Sequence, residues 1–247
     1  MQSHTVGFLL AVCAASCTAA KCRPGGGDTP ESYICEGITD HADLNTIPAS
    51  ARRITIVNSR IPTIQRGAFA RFVDSLVSLN ITNSAVSNLQ AGAFTGLGEL
   101  RHLILNHNEI KSIKTNWIQD LPKLETLHLW RNHINEIEPA VFDHLPQLEL
   151  LDIAFNVIDH CIPPESLGKL KNLKIVYVTG NPWPLRCRPP VIFHLENSHV
   201  RLVNTWGYTH VFIEECLAHE PAAKYDDVAL DKCVADHVAN SRNRDHR

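Results

Sequence analysis

A histidine, an aspartate and a group of aromatic residues recur in this chain at one interval. Ile104, His128, Asp152 and Tyr177 follow one another at steps of 24, 24 and 25 residues, and His107, Arg131 and Phe155 at steps of 24, with Trp130 beside Arg131. An imidazole next to a carboxylate can do acid–base chemistry or share a metal ion. A metal site, however, needs three or four converging ligands with oriented partners behind them, and acid–base catalysis needs a pocket that excludes water. The sequence holds no glycine-rich phosphate loop, no Ser/His/Asp arrangement and no His-Glu-x-x-His segment. Trp, Tyr, Phe and Arg are instead the residue types enriched at interface hot spots. These positions therefore point to a binding surface, with no catalytic residue, no cofactor and no metal.

The interval comes from an internal repeat. Its clearest copies are Leu100-Arg-His-Leu103-Ile-Leu105-Asn-His-Asn108-Glu-Ile110-Lys-Ser-Ile113 and Leu124-Glu-Thr-Leu127-His-Leu129-Trp-Arg-Asn132-His-Ile134-Asn-Glu-Ile137. Copies begin at Ala51, Leu76, Leu100, Leu124, Leu148 and Leu173, spaced 25, 24, 24, 24 and 25 residues. Alternate residues of a strand face opposite ways. Ile54/Ile56, Leu79/Ile81, Leu103/Leu105, Leu127/Leu129, Leu151/Ile153 and Val176/Val178 must then point inward. The asparagine column reads Ser59, Ser84, Asn108, Asn132, Asn156, Asn181, so a ladder of side-chain amides is expected, looser at its amino end. Phe69, Phe94, Ile118 and Phe142 form a second apolar spine.

This pattern resembles the leucine-rich repeats of extracellular proteins. The resemblance implies an α/β repeat fold, a solenoid over 51–180 with a concave parallel sheet of about six short strands. On such a sheet Ile104, His107, His128, Trp130, Arg131, Asp152, Phe155 and Tyr177 face outward. With strands about 4.8 Å apart they fall within roughly 20 Å of one another. The two histidines would make binding sensitive to pH between about 5 and 7. Asn80-Ile81-Thr82 is an N-glycosylation sequon with Asn80 facing out, which would push binding toward repeats 3–6.

The ends read as export and capping. Residues 1–20 resemble a secretory signal cleaved before Lys21, and the polar end of the chain lacks the apolar tail of a lipid anchor. The expectation is a secreted protein in the extracellular fluid. Cys13 and Cys17 leave with the signal. Cys22 and Cys35 bracket a glycine-rich loop in an amino cap over 21–50 and are expected to pair. Cys161, Cys187, Cys216 and Cys233 allow three pairings. Cys161 sits where Ile113 and Ile137 stand in earlier coils and is expected to be a buried thiol. A net charge of −3, with basic and acidic residues interspersed, argues against nucleic acid as a partner.

Gly180-Asn-Pro-Trp183-Pro-Leu-Arg-Cys187, continued to Cys216, resembles the carboxyl cap of extracellular leucine-rich-repeat proteins, here over 181–216. Leu185 stands where that cap carries its first cysteine, and the resemblance implies a Cys187–Cys216 bond. Cys233, in the polar tail 217–247, is then left to bridge to a second chain. The tail itself is expected to be mobile or loosely docked, with a short helix striped by Val228, Cys233, Val234 and Val238. The series Trp183…Cys187…Leu195…Val200…Cys216 is similar to the secreted leucine-rich immune proteins of mosquitoes. It implies innate-immune recognition of a protein or glycan ligand, in a disulfide-linked homo- or heterodimer. The other expectation is a matrix or signalling module that binds a growth factor or an adhesion partner.

Overall fold

A computed structural model describes residues 21–25, 31–203, 215–219, 221 and 227–244. The expected signal segment lies outside the described residues. Each copy of the repeat contributes one short strand, because its two inward aliphatics alternate with outward-facing residues. These strands are Arg53–Val57, Ser78–Thr82, His102–Ile104, Thr126–His128, Leu150–Asp152 and Ile175–Tyr177. They pair in parallel, with Ile54, Leu79, Leu103, Leu127, Leu151 and Val176 in one row. The two caps extend the same sheet. Ser32–Glu36 adds in parallel at the amino end, with Cys22–Pro24 antiparallel beyond it, and Arg201–Val203 adds in parallel at the carboxyl end, making nine strands among the described residues.

All twelve inward strand residues are buried. Opposite them, short helical turns at Ala70–Phe72, Thr115–Ile118, Pro139–His144 and Pro164–Leu167 close four of the coils, and the coil that begins at Leu76 closes through non-helical turns. Phe69, Phe94, Ile118 and Phe142 are buried there. Phe69 stacks on Phe94 with ring centroids 6.1 Å apart, but the aromatic row then passes to Trp117, 6.0 Å from Phe94 and edge-on, rather than to the Ile118 position.

The asparagine ladder carries the polar load of the interior. Asn132 Nδ2 donates to the Leu105 and Leu129 carbonyls at 2.9 and 3.0 Å, and its Oδ1 accepts from Ile110 N–H at 3.1 Å. Asn108, Asn156 and Asn181 repeat this pattern on their own neighbours. Each amide thereby bonds backbone groups of two coils that would otherwise be buried unpaired, at about 1–3 kcal/mol apiece. Ser59 and Ser84 make fewer such bonds, although Ser59 Oγ accepts from the Ile38 N–H of the amino cap at 3.1 Å. Their hydroxyls donate only to the carbonyls two residues back, at 2.9 and 3.0 Å.

The disulfides correct the expected carboxyl-side pairing. Cys22 joins Cys35, but Cys161 joins Cys187 and Cys216 joins Cys233. Cys161 is exposed, and Ile162 takes the inward place expected for it. The coil beginning at Leu148 is one residue longer than the two before it, and that residue moves the cysteine out of the core. Cys187 therefore staples the cap helix Arg188–Asn197 back onto the last full repeat. Cys233, expected to seek another chain, is brought to Cys216 by an 18-residue helix, Asp227–Arg244. Leu230 and Val234 are buried against Cys216, whereas Val228, expected in the apolar stripe, is exposed. Among the described residues no helix is long and apolar enough to cross a membrane.

Candidate ligand-binding face

The concave strands set the candidate residues in two rows. Along the first, Ile104 pairs with His128, His128 with Asp152 and Asp152 with Tyr177. All four are half-buried. Asp152 Oδ1 accepts from Ala154 N–H at 3.1 Å, which aims Oδ2 at His128 Nδ1, 3.5 Å away. This couple has no third ligand around it: among the described residues, the cluster able to hold a metal lies elsewhere in the molecule.

The second row follows the ends of the strands, where each repeat turns over the residue before its ladder asparagine. That residue has positive φ in every coil: Asn58 (48°), Asn83 (51°), His107 (52°), Arg131 (53°), Phe155 (53°) and Gly180 (71°). The turn throws these side chains to the rim of the concave face. His107 meets the Trp130 ring at 4.5 Å, edge to face, and Trp130 meets Phe155 at 6.0 Å in the same manner. The Arg131 guanidinium carbon lies 4.6 Å from the Trp130 centroid and 5.8 Å from that of Phe155. A cation over an aromatic face is attracted by the ring quadrupole by about 0.5–1 kcal/mol at exposed sites. The group is thus ordered by its own contacts, yet Phe155 remains 44% exposed and Arg131 is also exposed.

Two supporting residues escaped the sequence reading. Asn106 Oδ1 accepts from Trp130 N–H at 2.8 Å and pins the backbone of the aromatic turn. Gly180 lets the Phe155 ring lie against the chain, since a Cβ there would come within 2.7 Å of Phe155 Cδ1. The recurrence of a residue just before each ladder asparagine was the available signal for this turn. Its left-handed backbone was not legible from residue type. Asn80 lies on the strand Ser78–Thr82, half-buried, with its Oδ1 accepting from the Thr82 hydroxyl.

A family model for the leucine-rich repeat matches residues 74–133 and 122–182. No curated protein sequence matches the chain significantly. TLR13, solved in complex with ssRNA13, superposes with a TM-score of 0.57 at 23% identity, over 65% of this chain and 23% of that one. Human 5T4 (Wnt-activated inhibitory factor 1, trophoblast glycoprotein) gives a TM-score of 0.54 at 19% identity, over 75% of this chain and 79% of that one. The likeness at these identities is one of fold, and the chain spans under a quarter of the length of the TLR13 chain. The matched repeats, the register of the parallel sheet and the three internal disulfides together make this chain a leucine-rich-repeat solenoid with disulfide-braced caps.

Proposed function

We propose that this protein is a secreted recognition module of innate immunity that binds a protein or glycan ligand through the concave face of repeats 3–6. The carrying observation is the aromatic and cationic rim made by His107, Trp130, Arg131 and Phe155. These side chains contact one another outside the core, at outward positions the fold does not need filled. Trp, Tyr and Arg anchors surrounded by polar residues are the composition of interface hot spots. Ile104, His128, Asp152 and Tyr177 form the floor beside them. A glycan on Asn80 would cover the neighbouring strand and confine the ligand to the later repeats.

Secretion accords with the three disulfides, which persist in oxidising compartments. The immune role rests on the cap series Trp183…Cys187…Leu195…Val200…Cys216 and on the fold shared with TLR13. A second reading, a signalling or matrix module, draws on the fold shared with human 5T4. The test is to probe an array of microbial glycans and of secreted and cell-surface proteins with the purified chain and with its Trp130→Ala/Phe155→Ala variant. Ligands bound by the wild type and lost by the variant support the concave site, and their class separates the immune from the signalling reading. Equal binding by both proteins sinks the site.

A further inference from the structure

The junction of carboxyl cap and tail helix holds a second group of chemistry-bearing side chains, remote from the concave rim. Cys216 is fully buried on the helical turn 215–219, and Cys233 and His237 are half-buried, one turn apart on one face of the tail helix. His237 Nδ1 stands 3.6 Å from Cys216 Sγ and 3.7 Å from Cys233 Sγ. All three ligand atoms lie within 4.8 Å of one another. Two thiolates and an imidazole are a donor set that zinc favours. With Zn–S about 2.3 Å and Zn–N about 2.0–2.1 Å, a tetrahedral ion requires each S···N separation to be about 3.6 Å. Both separations already meet that requirement.

Two further features fit. His237 Nε2 lies 3.6 Å from Glu215 Oε2, so a carboxylate occupies the outer position that orients a metal-bound imidazole. A cavity lined by Ala229, Lys232, Cys233, Asp236 and His237 opens beside Cys233 and His237, the side from which water would reach a fourth coordination position. Hard cations such as calcium and magnesium demand oxygen ligands and do not suit this set.

We propose that Cys216, Cys233 and His237 form a redox-gated zinc site, closed while the sulfurs are bonded and able to bind metal when they are reduced. A thiol reductant breaks the S–S bond, supplying two electrons and two protons to give two thiols while it becomes its own disulfide. Zinc then displaces both thiol protons, and the sulfurs move apart to about 3.8 Å. His237 Nδ1 is 3.0 Å from the Cys233 carbonyl in the disulfide state. Coordination replaces that contact and leaves the Nε2 proton facing Glu215. The tail helix is thus tied to the cap in both states, by a covalent bond when oxidised and by the metal when reduced.

The test uses the full chain, reduced with a phosphine and titrated with cobalt(II) as the spectroscopic stand-in for zinc. One equivalent should produce tetrahedral ligand-field bands and a sulfur-to-metal charge-transfer band. His237→Ala and Cys233→Ser should each weaken binding by about 10-fold or more, with circular dichroism of the metal-free variants separating loss of the site from loss of fold. Zinc should also shield Cys216 and Cys233 from alkylation while the other thiols react. The proposal is overturned if the reduced chain gives no charge-transfer band, if both folded variants bind as tightly as the wild type, or if the shielding falls on Cys161 and Cys187.

Discussion

The two ends of the concave rim share one backbone and display different chemistry. In the early coils the left-handed position is Asn58 and Asn83, and in the later ones His107, Arg131 and Phe155, all with φ between 48° and 53°. The early residues satisfy each other. Asn83 Nδ2 donates to Asn58 Oδ1 at 2.8 Å, and Asn58 Nδ2 to Glu36 Oε1 at 3.2 Å. Asparagine also tolerates this conformation well, whereas a bulky side chain is strained in it. Arg131 and Phe155 therefore accept a backbone cost without filling the core. Identical scaffolding with opposite surface chemistry indicates that the repeat supplies position, and that the aromatic rim has to be explained by what it meets.

The broadest test of the shared scaffold is a buried charge. Leu129→Asp would place an unpaired carboxylate in the fully buried strand row, costing about 4 kcal/mol or more, and the variant should fail to be exported by secreting cells. Normal export would break the register on which both halves of the rim depend. Next comes the contrast between two asparagines. Asn132→Ala should cost about 2–3 kcal/mol, because it strands buried backbone groups of two coils. Asn58→Ala should cost only about 1 kcal/mol, the strain of an alanine at φ 48°, since its hydrogen-bond partners are exposed. Chemical denaturation of the two variants measures the gap, and equal losses would remove the distinction between buried ladder and exposed rim.

Trp130→Ala should weaken ligand binding by about 2 kcal/mol while its melting temperature moves little. The Asn58→Ala change at the polar end should leave binding unaltered, which calorimetry would decide. Gly180→Ala should cost about 1 kcal/mol, because alanine is strained at φ 71° and its Cβ would displace the Phe155 ring. The smallest effect is expected at the amino end. Burial, opposed by Asp40, holds the His41 imidazole below its ordinary pKa of 6.5. As pH falls through 6.5 the unfolded chain takes up a proton before the folded one does, so stability should decline there. In thermal melts His41→Gln should flatten that decline, and an unchanged slope would remove the histidine as its cause.

The core was legible from residue type because burial at period two leaves a direct trace. Each inward pair, from Ile54/Ile56 to Val176/Val178, is apolar, and each is buried. The ladder was legible for the same reason: an asparagine recurring among aliphatics has few other uses. Residue type also placed Ile104, His128, Asp152 and Tyr177 in one row, since the register follows from the spacing. Contacts between side chains on the rim left no such trace. The approach of Arg131 to both rings and of Phe155 to Gly180 depends on a left-handed turn that Asn, His, Arg and Phe all adopt here. The cysteines show the limit most clearly. Counting residues put Cys161 in the core, but one additional residue in its coil gave that place to Ile162 and turned the sulfur toward Cys187. Cys233 reached Cys216 only because Leu230 and Val234 dock the tail helix on the cap. The sequence by itself determined the repeat, its register and its two apolar rows, because these follow from periodic burial along the chain. Tertiary structure decided the carboxyl-side disulfide pairing and the arrangement of the rim, because those depend on distances between segments that no local pattern encodes.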